Sequence, residues 1–164
     1  MANFTLDKDK YKAALLYIAS SLGQIEGMKK AYKLFYYLDF DFYEAYEKPF
    51  TGDVYKALEM GPVPLYFAGI ADELVEEGKL EIKKIKMSPT HEYATIVYKP
   101  LVKTNYKFSE EEKKMLDRII KLYGSQTGKN LEQLSHAEAP YNAVDVYQII
   151  PYEYSFYRDT PNLV

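Results

Sequence analysis

The sequence predicts an α+β protein in which helices predominate, a compact bundle of about six helices with a small antiparallel β-hairpin or sheet. Apolar residues recur at helical spacing in several segments, and two neighbouring short segments have the composition of paired strands. Apolar residues make up 48% of the 164 residues, enough to fill one core. We expect a single domain over residues 1–164, with a core at about 8–147 and an aromatic tail at 148–164.

Two helices open the chain. Apolar residues at helical spacing predict the first between Tyr11 and Leu22, with Gly23 as its stop. The second is predicted from about Met28 to Tyr46, and its wide apolar stripe predicts burial on more than one side. Acidic residues near its end are expected to form a solvated face. They are Asp39, Asp41, Glu44 and Glu47.

The centre of the chain combines glycine and proline with apolar residues in the stretch TGDVYKALEMGPVPLYF. Its VYKALEM portion is compatible with a short helix or with a strand. Pro64 suits the first position of a third helix, which Gly78 closes. We interpret the GPVP block as a rigid structural hinge that sets the angle between the second and third helices.

A hairpin and shorter helices follow. KLEIKKIKM and EYATIVYKPL predict two antiparallel strands, and irregular alternation in the first predicts a bulge near Lys83–Lys84. Ser109 and Glu112 form a capping box for a helix that ends at Gly124. TGKNLEQLSH predicts a shorter helix, and one more short helix is expected before the tail. The tail after Pro151 has no helical or strand period.

Composition excludes several classes of function. The chain has no cysteine, which excludes disulfides, thiolate chemistry and zinc sites built on cysteine. The first residues do not resemble a signal peptide, and no stretch approaches the roughly 20 apolar residues of a membrane span. We therefore expect a cytoplasmic protein without membrane contact. Its net charge of −3 makes nucleic acid an unexpected partner.

No catalytic constellation is evident. Ser135 and His136 are neighbours on a predicted helix, and adjacent helical side chains point roughly 100° apart, so they do not form a nucleophile–base pair. His91 falls in the predicted hairpin turn, where we expect it to be solvated. We predict no enzyme activity, no catalytic residue, no metal and no cofactor. A small hydrolase that uses His136 with nearby carboxylates is the catalytic alternative.

Two motifs suggest a family. The stretch KLFYYLDFDFYEAYEKPFTGDVYKALEMGPVPLYF resembles the signature of the Panacea domain, the SocA-like antitoxin domain that also occurs in phage-associated proteins. LEQLSHAEAPYNA resembles the second motif of that family, which often has tryptophan where this chain has Tyr141. The resemblance runs from about Tyr11 to Val146. The motif residues are Gly61, Pro62, Val63, Pro64, Ser135, His136, Pro140 and Tyr141, and we expect them to be structural.

The resemblance implies the function of an antitoxin in a toxin–antitoxin system. Such an antitoxin neutralises a cognate toxin encoded nearby by direct protein–protein binding. One family member delivers its toxin to a protease, so the resemblance also implies a protease-adaptor role as an expectation. The implied structure is a compact, mostly helical domain with a small antiparallel sheet.

Tyrosine provides the candidate contacts with a partner. The chain has 18 tyrosines, and tyrosine is favoured where protein surfaces meet. The acidic run is expected to complement a basic toxin surface. The candidate partner-binding residues are Tyr43, Tyr46, Asp39, Asp41, Tyr152, Tyr154 and Tyr157. The sequence leaves open whether each tyrosine is an anchor or belongs to the core.

A DNA-binding transcriptional regulator is the alternative function. Seven lysines and two acids between Lys79 and Lys107 make the predicted β-hairpin basic. A helix pair followed by a basic hairpin is also typical of winged-helix DNA-binding proteins. The helix from Pro64 to Gly78 carries four acids and no lysine or arginine. That helix would meet DNA phosphates with like charge, which disfavours the alternative.

Overall fold

A computed structural model of the protein describes residues 3–86, 88–90 and 93–160. Within these residues the chain forms six α-helices, one 3₁₀ helix and five short strands, so the predicted α+β class with predominant helices is confirmed. The helices are α1 (Lys8–Leu22), α2 (Met28–Tyr46), α3 (Phe67–Glu76), α4 (Glu110–Tyr123), α5 (Gly128–His136), α6 (Ala139–Asn142) and the 3₁₀ helix Tyr152–Tyr157. The strands are β1 (Ile25–Glu26), β2 (Tyr55–Leu58), β3 (Gly61–Pro64), β4 (Leu80–Ile85) and β5 (Thr95–Pro100).

Helix α2 lies at the centre of the molecule. Its bounds, Met28 and Tyr46, match the sequence prediction. It packs against α4, α5, β3 and the 3₁₀ helix, and its residues from Leu34 to Tyr43 are all buried. A helix that is buried all round belongs to the core of a domain, as its wide apolar stripe predicted. None of the helices in the described part of the chain is long and apolar enough to cross a membrane.

The ends of two outer helices follow local signals. The Asp7 carboxylate accepts a hydrogen bond from the Lys10 amide at 3.1 Å and caps α1, which ends at Gly23 as predicted. At α4 the predicted capping box is present. The Glu112 amide donates to the Ser109 hydroxyl at 3.1 Å, and the Ser109 amide donates to the Glu112 carboxylate at 2.8 Å.

The larger sheet has the strand order β1-β5-β4 and is antiparallel. Its β4–β5 ladder runs without interruption from Leu80 opposite Pro100 to Ile85 opposite Thr95. The predicted bulge near Lys83–Lys84 is therefore wrong. Ile82 is 37% exposed, so β4 beyond Leu80 does not bury a continuous apolar face. The sequence of this strand therefore does not have to alternate strictly between apolar and polar residues.

Strands β2 and β3 form a separate antiparallel pair, residues 55–64, which we call the proline hairpin. The VYKALEM segment is thus largely a strand. The GPVP block is the other strand, and the prediction that Pro64 opens the third helix is wrong because α3 begins at Phe67. The block is an edge strand docked on α2 and not a hinge between two helices.

The positions of the two prolines follow from the hydrogen-bonding pattern of the hairpin. The Leu65 amide donates to the Val54 carbonyl at 2.9 Å, and hydrogen-bonded positions alternate along an antiparallel pair. Pro62 and Pro64 therefore fall where the backbone nitrogen faces away from β2. That edge of β3 packs against α2 and α5. A buried amide without an acceptor there would cost about 1–3 kcal/mol, and proline has no amide hydrogen to leave unpaired.

The tail completes the proline hairpin from its other side. The Ala57 amide donates to the Gln148 carbonyl at 2.9 Å, and the Ile150 amide donates to the Tyr55 carbonyl at 2.8 Å. The 3₁₀ helix then packs its Tyr152 ring against α2. The tail is ordered by these distant contacts, which explains why it has no period of its own.

The turn of the proline hairpin generates a stability prediction with a matched control. Gly61 has φ +104°, and a Cβ there would lie 2.7 Å from Lys33 Cε and 3.1 Å from Ser135 Oγ. We expect Gly61→Ala to lower the free energy of unfolding by about 1–3 kcal/mol. A Cβ at Gly69, inside α3, would meet nothing within 4 Å, so Gly69→Ala should raise stability by about 0.5–1 kcal/mol. Urea denaturation measures both variants, and a Gly61→Ala protein as stable as the parent would contradict the prediction.

Candidate functional site

The two sequence motifs meet beneath the turn of the proline hairpin. Lys33 of α2 and Ser135 of α5 both pack against Gly61. The Lys33 ammonium donates to the outward-facing Pro62 carbonyl at 2.8 Å. The Ser135 hydroxyl donates to the Glu132 carbonyl of its own helix at 3.0 Å. The motif residues thus form one packed cluster that holds β3 on the helices.

The second motif also contacts the turn of the proline hairpin, through Tyr141. The rings of His136 and Tyr141 stack with centroids 4.4 Å apart and planes 4° from parallel. The Tyr141 hydroxyl donates to the Leu58 carbonyl at 2.7 Å, and Pro140 is buried at the start of α6. Among the described residues, His136 Nε2 is buried without a hydrogen-bond partner. The side chains of Ser135 and His136 have different partners, as the helix geometry predicted.

A buried carboxylate on α2 holds the loop that leads into the proline hairpin. Asp39 is fully buried and accepts hydrogen bonds at 2.6 Å from the Thr51 amide, the Thr51 hydroxyl and the Tyr55 hydroxyl. Burial raises the pKa of the Asp39 carboxyl to about 7, although these hydrogen bonds oppose the shift. Asp39 therefore fixes the position of β2 relative to α2.

A second buried acid, Asp53, connects three other segments to the proline hairpin. Asp53 accepts hydrogen bonds from the Tyr11 hydroxyl at 2.6 Å, the Val54 amide at 2.6 Å and the Tyr66 amide at 3.1 Å. Burial raises its pKa as well. The Tyr152 hydroxyl donates to the Asp53 carbonyl. Asp53 thus ties α1, the start of α3 and the tail to the base of the proline hairpin.

The next acid on α2 anchors the tail through arginine. Asp41 is fully buried and contacts the guanidinium groups of Arg118 from α4 and Arg158 from the tail, the latter at 2.6 Å. The Arg158 side chain is 1% exposed and also reaches Glu44 at 3.1 Å and Glu138 at 3.5 Å. Removing one partner from such a buried cluster leaves an uncompensated charge, so the cluster makes the position of the tail specific.

Most of the predicted partner-binding residues lie inside the protein. The predicted solvated acidic face is wrong for Asp39 and Asp41, because both are 0% exposed and bound to groups of the same chain. Tyr43 and Tyr152 are buried in the aromatic core beside them. These four side chains are at most 9% exposed in the folded chain. The accessible members of the predicted set are Tyr46, Tyr154 and Tyr157.

An apolar groove of about 1080 Å³ lies between the first turn of α2, the turn of the proline hairpin and the start of β5; we call it the hairpin groove. Large exposed apolar side chains line it, and Lys33 lines it from the buried side. The exposed members are Met28, Met60, Tyr93 and Tyr147. Sequence reasoning missed the groove because its walls come from four distant segments.

A sequence signal for the buried lysine was available. Tyr36, Tyr37 and Phe40 follow Lys33 at intervals of three, four and seven residues, so the lysine lies on an apolar stripe of α2. No comparable signal marks Arg158, which stands in a segment without periodicity.

The basic β-hairpin is partly neutralised by its own neighbours. Lys83 pairs with Glu81 at 3.0 Å, and Lys79 pairs with Glu77 at 3.5 Å. Lys84 and Lys99 are exposed. The predicted turn residue His91 lies outside the described residues.

Comparison with protein-family models found one match that covers most of the chain. The model described as "Antitoxin SocA-like, Panacea domain" matches residues 32–141. The matched region contains the proline hairpin and the packed motif cluster, while Arg158 lies beyond it. Comparisons with curated proteins and with solved structures found no match.

The raised pKa of Asp39 generates a prediction about pH. The folded chain keeps the Asp39 proton up to about pH 7, whereas an unfolded carboxyl loses it near pH 3.8. Stability from this group is therefore present at low pH and is lost as the pH rises through that window. Asp39→Asn has no such proton to lose. The free energy of unfolding of the parent minus that of Asp39→Asn should decrease between pH 4 and pH 7, by up to about 4 kcal/mol.

Urea denaturation of both proteins at several pH values measures this difference. Groups that do not interact with Asp39 act on both proteins and cancel in the subtraction. Asp53 does interact with Asp39, and its negative charge adds to the rise in the Asp39 pKa, so it does not change the expected direction. A difference that stays constant or grows with pH would contradict the assignment of a raised pKa to Asp39.

Proposed function

Because the chain belongs to the antitoxin SocA-like, Panacea domain family, we propose that it is the antitoxin of a toxin–antitoxin system. It neutralises a cognate toxin encoded nearby, in the cytoplasm, by direct protein–protein binding. The observation that carries this proposal is the family match over residues 32–141, which contains the proline hairpin and both sequence motifs.

Binding without chemistry is the mechanism that fits the motif residues best. Three of their polar side chains donate to backbone carbonyls: Lys33 to Pro62, Ser135 to Glu132 of its own helix, and Tyr141 to Leu58. His136 is the exception, because its Nε2 is buried without a hydrogen-bond partner among the described residues and its ring stacks on Tyr141. A side chain that is occupied in this way supports a surface and is poorly placed to attack a substrate. The neutralising act is then formation of a stable complex in which the toxin is held inactive.

A stable complex needs a surface of sufficient size with a few large anchors. A standard interface buries about 1,600 Å² in total, and aromatic residues dominate its energy. Tyr157 is 76% exposed, and Tyr46 and Tyr154 are half-buried. These three tyrosines are one of two proposed contact surfaces for the toxin.

Two other modes of action predict different results. A protease adaptor lowers the amount of toxin in the cell, whereas an inhibitor that acts by binding alone leaves that amount unchanged. A DNA-binding regulator that uses the basic β-hairpin binds its own promoter DNA, with an affinity that falls steeply as salt rises. The exposed Lys84 and Lys99 are the residues that such binding would need.

Co-expression with the protein encoded by the adjacent gene tests the proposal. We expect that protein to arrest growth when expressed alone, and we expect this chain to restore growth and to copurify with it. Gly61→Ala, which weakens the fold, should restore growth less well than Gly69→Ala at equal expression. An adjacent gene whose product does not arrest growth would contradict the proposal. Restored growth with no detectable complex and with an unchanged amount of toxin would contradict it as well.

A further inference from the structure

Lys33 is a buried cation with no carboxylate at ion-pair distance among the described residues; Glu132, which pairs with Lys29, attracts it from farther away. Its side chain is 1% exposed, and within the described residues its ammonium has one hydrogen-bond acceptor, the Pro62 carbonyl. Buried charges in proteins are normally paired, because desolvation costs several kcal/mol when no opposite charge compensates it. Burial accordingly lowers the pKa of the Lys33 ammonium to about 8.

Lys33 borders the hairpin groove, whose other walls are apolar and exposed. Met28 is 43% exposed, Met60 54% and Tyr147 63%. Methionine side chains are flexible and polarisable, and they adapt to the shape of an apolar partner. Such a concentration of large apolar side chains around a concavity marks an interaction site.

The charges around the groove differ between its buried side and its rim. Lys33 is on the buried side, beside the first turn of α2, where Gly27 provides no side-chain cap. Lys29 also borders the groove and is paired with Glu132 at 3.1 Å. Glu59 is exposed at the turn of the proline hairpin. Charges act more strongly where water is excluded, so the buried lysine determines the preference of the groove interior for an anion.

We propose that the hairpin groove is where the toxin docks, through an apolar segment that carries a carboxylate directed toward Lys33. The inference rests on the proposed function, because it names the binding site for the toxin that this function requires. The apolar part of the segment covers Met28, Met60 and Tyr147. The carboxylate supplies the opposite charge that no described residue places within ion-pair distance of Lys33.

The first test needs no toxin and uses two small probes, 4-phenylbutyrate and 4-phenylbutyramide, with the full chain. Both carry the same apolar group, and only the first carries a carboxylate. We expect NMR shift changes at Met28, Tyr32 and Met60, and at least threefold tighter binding of the carboxylate. Lys33→Met should abolish that preference, and Lys33→Arg should restore it. Equal affinity for the two probes, or shift changes confined to another surface, would overturn the inference.

The second test places a negative charge on the groove rim, where it would repel the proposed toxin carboxylate, and uses a matched control. Met60→Asp should weaken the complex with the adjacent-gene product at least tenfold. Leu101→Asp changes a residue of similar exposure, 51% against 54%, outside the groove and should leave the complex unchanged. Both substitutions are at exposed positions, so thermal denaturation should show folded proteins of similar stability.

The outcomes separate this inference from the proposed function. If the parent chain does not bind the adjacent-gene product, the antitoxin proposal fails, and the probe experiment still decides whether the groove selects a carboxylate. If the parent binds and Met60→Asp binds equally well, the groove is not the docking site, while the antitoxin proposal stands. Loss of binding in Tyr157→Ala in that case would place the partner on the tail.

Discussion

The structure depends on carboxylates buried along one central helix. Asp39 and Asp41 are carried by α2 into a region without solvent, where each needs donors from elsewhere in the chain. Asp39 takes them from Thr51 and Tyr55, and Asp41 takes them from two arginines more than 70 residues away in sequence. A buried carboxyl group, protonated or charged, is costly unless its partners are in place, so the fold is stable only when the hairpin, α4 and the tail have all docked on α2.

The same constraint explains the shape of the accessible surface. The first turn of α2 carries the exposed Met28, and the hairpin groove forms where this turn meets the proline hairpin and β5. The prolines keep β3 fixed on the helices without leaving an unpaired amide. Lys33 donates to the Pro62 carbonyl on that edge and has no carboxylate at ion-pair distance among the described residues. The features that stabilise the core thus leave the positive charge of Lys33 at the inner side of the groove, where a carboxylate of a partner can bind it.

Local signals were sufficient to predict part of this structure. The bounds of α2 and the capping box at Ser109 are set by residues within a few positions, so sequence alone identified them. A proline that opens a helix and a proline on an edge strand have the same local pattern, and Pro64 was misassigned for that reason. Burial of Asp39 and Arg158 reverses the usual behaviour of charged residues and depends on partners far along the chain. The motif residues were recognised, but the groove between them was not, because its walls meet only after folding.

Native-state hydrogen exchange of the free chain tests most directly whether the buried carboxylates make these segments one cooperative unit. The account predicts that the Phe40, Ala57 and Ile150 amides exchange with the same free energy, equal to that of global unfolding. Arg158→Met should lower all three together. Exchange of the Ala57 and Ile150 amides through a local opening far below global unfolding, with the Phe40 amide unaffected by Arg158→Met, would contradict it.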